Sequence, residues 1–301
     1  MLQGLHRTWG PLIDFTQQLA QELGHPVQAN AYVTPSQSTG FTDHYDVHDV
    51  FVLQMAGEKQ WRVRPPVHRS PLRDQPWTEH RTEVEEAGRR DPEREFTLRP
   101  GDVLYLPRGW IHSATALGGV STHLTLGVHV WTRRHVADEL VSMALARASL
   151  DERVRDSLAV SPSGFDHETI APDIDLVRAA LVRALDEIEP SAVVDALEAR
   201  ARGTQRAAPL GPLAQVAAAE SLRPEAELRL RSHVAPRLVA CDDGSATLRS
   251  RLPDFAVEPH DVGTFVALVD GGILRADMVG IDLARRLMLA GLLVVAAEAV
   301  S

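Results

Sequence analysis

Three side chains in this sequence could hold one transition metal between them. His44 and Asp46 stand two apart in "DHYDVHDVFVLQM", a run that turns apolar after Asp49. Residues two apart on a strand point to the same face, so the pair can offer an imidazole nitrogen and a carboxylate oxygen to one ion. Alone, an H-x-D pair is a weak signal, because such pairs also occur as hydrogen-bonded surface residues. The third member, His112, follows Asp46 by 66 residues in "GDVLYLPRGWIH". There Gly101–Asp102 reads as a turn and "VLYLP" as a strand; Pro107, Gly109 and Trp110 then redirect the chain so that His112 begins the next strand. Two imidazoles and one carboxylate form the facial triad of non-haem Fe(II) sites, which leaves coordination positions open for substrates.

A fourth residue stands out by composition. Lys59, closing "HYDVHDVFVLQMAGEK", is the one lysine of the chain; every other side chain among the 31 Lys and Arg is arginine. Lysine presents a compact point charge on a slim stem, and arginine a wide planar fork. A chance lysine on a surface turn is the plain alternative and, on composition alone, the better bet, so the decision rests on what surrounds it.

The elements that must position these residues are mostly β. "PLIDFTQQLAQEL" (11–23) has apolar side chains at Leu12, Phe15, Leu19 and Leu23, with proline at the start and Gly24 at the end, which predicts a helix. "QANAYVTP" reads as a strand stopped by Pro35, and "SQSTG" (36–40) as a loop. "DVFVLQM", "AGEK" and "QWRVRPP" make strand, turn and strand, a hairpin. Residues 68 to 95 are charged and proline-bearing and read as a solvated connection without a period. "VSTHLTLGVHVW" alternates strictly, as a strand should.

Near residue 133 the composition changes. "VADELVSMALARASL" and "DLVRAALVRALDEI" have helical spacing, with Ile174, Val177, Leu181, Leu185 and Ile188 on one stripe of the second. A further helix is expected over 191–201, and "RGTQRAAPLGP" reads as a linker. Beyond it come a hairpin around Asp243–Gly244, helices near 260–269 and 279–290, and a closing strand "LLVVAA". Helices and a small hairpin in this order suggest a winged-helix-like module.

Bulk properties limit the function. The net charge of −10 argues against nucleic acid as the primary ligand and suits a basic polypeptide partner. Residues 205–301 carry 10 arginines against 12 acidic residues and no basic helix, so the winged-helix-like part reads as a support or interaction module. One cysteine, Cys241, excludes an internal disulfide and fits a reducing compartment; it is expected to be a buried, inert thiol in a strand. No apolar run of about 18 residues and no leader pattern is present, so the expectation is a cytoplasmic protein away from membranes. His48 is expected to pack or face solvent, and Trp61 and Trp110 to be core.

The residues quoted above resemble a known family, the jelly-roll oxygenases of the cupin and JmjC type, and within it the ribosomal oxygenases, which hydroxylate side chains of ribosomal proteins. "NAYVTPSQSTGFTDHYDVHDVFVLQMAGEKQWRV" and "LRPGDVLYLPRGWIHSATALGGVSTHLTLGV" look like its two signature blocks. The fold implied is α+β: a double-stranded β-helix (jelly-roll) barrel over 1–132, a helical dimerisation region over 133–204, and a winged-helix-like domain over 205–301. The resemblance makes His44, Asp46 and His112 the iron ligands and Lys59 the partner of the distal carboxylate of 2-oxoglutarate. Asn30 and Tyr32 match polar positions beside that cosubstrate. His123 matches a histidine on the strand after His112, with a core histidine hydrogen-bonded to a neighbour as an equal reading.

Two departures stand beside it. Gly127 occupies a position where the family has a small hydroxyl residue. The chain also starts almost at the helix before "NAY", so the barrel is expected to be abbreviated or completed differently, with strand edges at risk of exposure.

The activity implied is Fe(II)- and 2-oxoglutarate-dependent hydroxylation, with a basic large-subunit ribosomal protein as substrate, histidine ahead of arginine as target, and a homodimer as the assembly. A cupin/winged-helix sensor without catalysis and a small-molecule cupin oxygenase remain as alternatives.

Overall fold

The computed structural model describes residues 1–36, 38, 40, 42–159 and 164–296. Gln37 and Thr39 of the 36–40 loop and Ala297 of the expected closing strand lie outside the described residues. Helix α1 spans Gly10–Leu23, with Pro11 in its first turn and Gly24 ending it at φ 67°. It buries Leu12, Ile13, Thr16, Gln17 and Ala20, whereas Phe15 and Leu23 of the expected stripe are exposed. Buried polar groups explain the rotated face. The Thr16 hydroxyl donates to the Leu12 carbonyl at 2.7 Å, and Gln17 Nε2 donates to Gln205 Oε1 at 3.0 Å.

Five strands carry the site: β1 (Val27–Thr34), β2 (Asp49–Arg64), β3 (Arg94–Leu98), β4 (Val103–Leu106) and β5 (Ile111–Val128), with helix α2 (Arg81–Gly88) between β2 and β3. The hairpin expected in the 49–66 stretch is one long strand, β2, bent by irregularities between Gln54 and Glu58. The bend splits β2 and β5 into halves that serve two layers. One layer runs β1, late β5, early β2 and β4; the other runs early β5, late β2 and β3, with His44 adding a single bridge to His112. Counting the halves and the His44 bridge, these segments form the jelly-roll pattern.

The edge of β1 is covered rather than bare. Leu2 and Ala31 exchange two backbone hydrogen bonds of 2.8 Å, the Ala29 N–H donates to His6 Nδ1 at 3.1 Å, and the Gly4 N–H donates to Asn30 Oδ1 at 3.0 Å. Residues 2–6 therefore shield the β1 edge, where an exposed strand edge was expected.

Residues 68–95 are also not a featureless connection. A 3₁₀ turn over Trp77–His80 leads into α2, and Val84 is fully buried against Tyr45 and Ile111, with Trp77 packed on the same cluster.

Residues 131–204 form a separate compact unit. Its helices are α3 (Arg133–Ala148), α4 (His167–Asp186) and α5 (Pro190–Thr204). Ala144 and Ala148 of α3 meet Ala180 and Ala184 of α4, small residues that let the two helices approach closely. Leu181 and Ile188 pack beside them, while Ile174 and Leu185 of the expected stripe stay exposed.

From Gln205 the chain belongs to the same compact unit as the barrel. It forms α6 (Pro212–Glu220), β6 (Glu227–Leu230), β7 (Arg237–Ala240), β8 (Ala246–Arg249), β9 (Phe255–Val257), α7 (Val262–Val269), β10 (Leu274–Arg275), α8 (Ala276–Val279), α9 (Ile281–Leu289) and β11 (Leu293–Val295). Two small sheets, β10-β6-β11 and β7-β8-β9, share a core with Leu228, Leu248, Phe265 and Leu287. Cys241 is exposed in the turn after β7, not buried in a strand, because the β7–β8 pairing ends at Ala240 and Ala246. Among the described residues no helix is long and apolar enough to cross a membrane.

Candidate metal centre

His44 and His112 face each other because their backbones do. The His112 N–H donates to the His44 carbonyl at 2.8 Å and the His44 N–H returns a bond to the His112 carbonyl at 3.2 Å. This single bridge is the only strand-like feature of the 44–46 segment; Asp46 lies in irregular chain, not on the regular strand its spacing suggested. The alternation survives all the same, since Tyr45 between them is buried the other way against Val84 and Ile111.

Asp46 is fixed through its backbone, its carbonyl accepting from the Gly109 N–H at 3.0 Å. Gly109 has φ 87°, and a Cβ there would stand 2.7 Å from the His68 carbonyl oxygen. Only glycine fits this turn, which aims His112.

One ligand atom from each of His44, Asp46 and His112 lies within 4.8 Å of the others. His112 Nε2 is 3.7 Å from Asp46 Oδ2, and the two imidazole rings are 4.4 Å apart. His44 Nδ1 sits 2.7 Å from the Thr42 carbonyl and His112 Nδ1 sits 3.0 Å from the Trp110 carbonyl. A carbonyl only accepts, so each Nδ1 carries the proton and each Nε2 presents its lone pair. That tautomer is the one a metal requires. Burial, then the neighbouring His44, holds the His112 pKa below its ordinary value, opposed by Asp46, so the ring is neutral and ready to ligate.

These groups line a cavity of about 310 Å³ that also contains Lys59, Tyr32, Trp61 and His123. Lys59 is 3% exposed, and its Nζ donates to Thr34 Oγ1 at 3.2 Å. Burial pulls its pKa down to about 8, and among the described residues no carboxylate offsets that cost. Tyr32 stacks on His123 with ring centroids 4.9 Å apart, and Trp61 meets His123 edge-on at 5.7 Å. Burial, then Lys59, pushes the His123 pKa down to about 3, so this ring is neutral. His123 Nδ1 and Trp61 Nε1 are buried with no hydrogen-bond partner among the described residues.

A buried ammonium without an anion, next to two orphaned polar atoms, fits a carboxylate-bearing ligand. The donor set fits a divalent metal with open positions. The residues present thus suit both Fe(II) and 2-oxoglutarate.

Of the other expected residues, Tyr32 faces the cavity, while the Asn30 side chain is engaged by the Gly4 N–H and is absent from the lining. His48 packs near His129 and Gln28. Gly127 is crowded by these side chains: a Cβ there would lie 3.0 Å from Gln28 Nε2 and from His48 Cε1. Trp61 is core and cavity wall together. Sequence reading missed Trp77, which lines the cavity 6.5 Å from the His44 ring. Its one signal is Arg81 four residues on, at the spacing that lets two helical side chains meet.

Fold and site together give a jelly-roll protein in which two histidines and one carboxylate converge at a candidate metal centre, with Lys59 buried in the same cavity. Residues 11–136 match the JmjC domain family model.

The chain is 43% identical over 104 residues to the bifunctional lysine-specific demethylase and histidyl-hydroxylase NO66 of Drosophila persimilis, covering 34% of this chain and 14% of that protein. It is 42% identical over 115 residues to ribosomal oxygenase 2 of Bos taurus, covering 38% and 23%. The chain thus covers less than a quarter of the length of these relatives. A crystal structure of Escherichia coli ribosomal oxygenase YcfD superposes with a TM-score of 0.51 at 17% identity, over 98% of this chain and 77% of that one, which shows a shared fold. YcfD in complex with cobalt and 2-oxoglutarate matches with a TM-score of 0.50 at 16% identity, over 98% and 77%.

Proposed function

We propose that this protein is an Fe(II)- and 2-oxoglutarate-dependent hydroxylase of a ribosomal protein side chain, histidine ahead of arginine. The observation that carries the reading is the convergence of His44, Asp46 and His112 within 4.8 Å, beside Lys59 buried in the same cavity. Relatives whose names include histidyl-hydroxylase and ribosomal oxygenase support it, as does YcfD, a ribosomal oxygenase of the same fold that forms a complex with cobalt and 2-oxoglutarate. The iron, when bound, supplies the O2 chemistry that couples decarboxylation of 2-oxoglutarate to oxidation of a C–H bond.

The protein's own contribution is positional. His44, Asp46 and His112 would hold one face of the metal and leave the other to cosubstrate and oxygen. Lys59 would pair with the distal carboxylate, with Tyr32 and His123 beside it, so that the keto-acid end reaches the metal. The apolar walls around Trp61, Val50 and Val52 keep bulk water from the reacting atoms.

Among the remaining assignments, we place the homodimer surface on the 133–204 helices, where Val141 and Leu145 of α3 lie exposed one turn apart. The 205–296 region is a support module, consistent with its excess of acidic over basic residues. Localisation in the cytoplasm accords with the single cysteine.

The test is conversion of 2-oxoglutarate to succinate by the iron-loaded protein, with His44→Ala and Lys59→Ala as controls. If neither substitution lowers turnover, the assignment is wrong. Mass spectrometry of ribosomal proteins from cells with and without the gene then locates the target residue by its gain of one oxygen atom.

A further inference from the structure

The cavity has an order along it. Lys59 Nζ lies 5.8 Å from the Trp61 ring centre, the Trp61 ring 6.0 Å from that of His112, His112 4.4 Å from His44, and His44 6.5 Å from Trp77. Trp61 thus neighbours His112 and Trp77 neighbours His44, with the lysine beside Trp61. If the Lys59 side takes 2-oxoglutarate, as proposed above, the Trp77 side is left for the side chain to be oxidised.

Trp77 is built into place. It is half-buried on the cluster of Tyr45, Val84 and Ile111, so the same packing that seats the 68–95 excursion fixes this ring. The guanidinium carbon of Arg81 lies 4.6 Å from its centre. The ring quadrupole therefore already serves one cation. A second cation brought to the indole would share that quadrupole and meet the Arg81 charge. A neutral flat ring meets neither penalty and gains stacking area.

The geometry points to Trp77 as the specificity-determining wall of the target-side-chain pocket, with Arg81 stacked on it to disfavour a guanidinium and admit a neutral heteroaromatic ring. This rests on the hydroxylase reading for which end of the cavity the cosubstrate occupies.

The test needs no turnover. Protein loaded with Zn(II), which is redox-inert, and 2-oxoglutarate is titrated with N-acetylhistidine methylamide and separately with N-acetylarginine methylamide. The chain has five tryptophans, and loss of one indole N–H resonance in Trp77→Phe assigns the reporter. The histidine probe should shift that resonance and bind about tenfold tighter than the arginine probe. Arg81→Gln should narrow the gap to less than about threefold, and Trp77→Ala should weaken the histidine probe about tenfold while the 2-oxoglutarate Kd stays within about twofold.

An unmoved Trp77 resonance under the histidine probe, or a gap that Arg81→Gln leaves intact, overturns the assignment. Failure of the wild-type protein to bind 2-oxoglutarate is a separate result, read before either probe is added. It would overturn the hydroxylase reading and this assignment with it.

Discussion

Arg64 and Asp43 form an ion pair immediately beside the candidate metal centre, with Nη1 donating to Oδ1 at 2.7 Å and the Arg64 side chain only 7% exposed. The same guanidinium donates to the Gly88 carbonyl at 3.0 Å and the Arg90 carbonyl at 3.3 Å. Gly88 admits the arrangement because a Cβ there would stand 2.6 Å from Asp43 Oδ2. One side chain thus ties the residue before His44 to the end of α2, and through α2 to the excursion that carries Trp77.

Removing that tie should affect both stability and metal binding. Arg64→Met leaves the Asp43 carboxylate without its partner, at a cost of about 3 kcal/mol in chemical denaturation. With the His44 segment loosened, Zn(II) affinity should fall by roughly 10- to 100-fold, the range found when groups that orient metal ligands are lost. Calorimetric titration with Zn(II) reads the second effect directly. Unchanged affinity would show that the pair serves the fold alone.

Lys59 should trade stability for binding. The folded protein bears the desolvation of an ammonium whose pKa burial has pulled down to about 8. Lys59→Met removes that cost and should stabilise the ligand-free protein by on the order of 1–3 kcal/mol, while 2-oxoglutarate binding is lost. Thermal denaturation with and without 2-oxoglutarate measures both. A destabilised Lys59→Met protein would contradict an uncompensated ammonium in this cavity.

The same group sets a pH dependence whose sign follows from the direction of its shift. The folded pKa lies below the ordinary lysine value of 10.5, so the stability penalty is complete below about 8 and fades as pH rises from there towards 10.5. Binding of a carboxylate runs the opposite way, because it needs the charged form. The 2-oxoglutarate Kd should be flat below pH 8 and rise by roughly tenfold per unit above it. His123, held neutral with a pKa near 3, contributes nothing in this window. A Kd independent of pH between 7 and about 9.5 would remove Lys59 from the anchor role.

The parts of this protein that could be read from sequence are those where a rare residue type meets a fixed spacing. The convergence of His44, Asp46 and His112 is legible from His-x-Asp followed by the glycine–aspartate turn and His112, and Lys59 stands out as the one lysine of the chain. What escaped reading has physical causes. α1 buries Thr16 and Gln17, polar residues satisfied by hydrogen bonds that apolar periodicity cannot see. α2 is eight residues long and buries Val84 alone, too little to show a period, so Trp77 before it looked solvated. Cys241 seemed strand-bound because "RLVAC" is continuous, yet the pairing stops one residue earlier.

The bend that lets β2 and β5 serve two layers rests on one backbone position. Gly57 lies in the irregular stretch at φ 65°, where an L side chain is strained, and a Cβ there would stand 2.3 Å from the Val120 carbonyl oxygen. Gln54 reinforces the bend from within, its Nε2 lying 2.9 and 3.0 Å from the Ala56 and Gly57 carbonyls and 2.9 Å from Ser121 Oγ, so that two N–H groups are shared among three acceptors. Lys59 sits two residues past Gly57, so this bend sets where the ammonium enters the cavity. Gly57→Ala should therefore cost more than an ordinary loop substitution, about 2–4 kcal/mol, from the strained φ and the backbone clash together. Because the clash partner belongs to β5, relief requires β5 to move away from β2, and 2-oxoglutarate affinity should fall in step with stability. Gln54→Ala, which loses the hydrogen bonds but keeps the bend's glycine, should lower stability by only about 1–3 kcal/mol. Denaturant unfolding of both variants, with 2-oxoglutarate binding measured on the folded fraction, decides the matter. A Gly57→Ala protein as stable as wild type would mean that the bend is not set by this close approach.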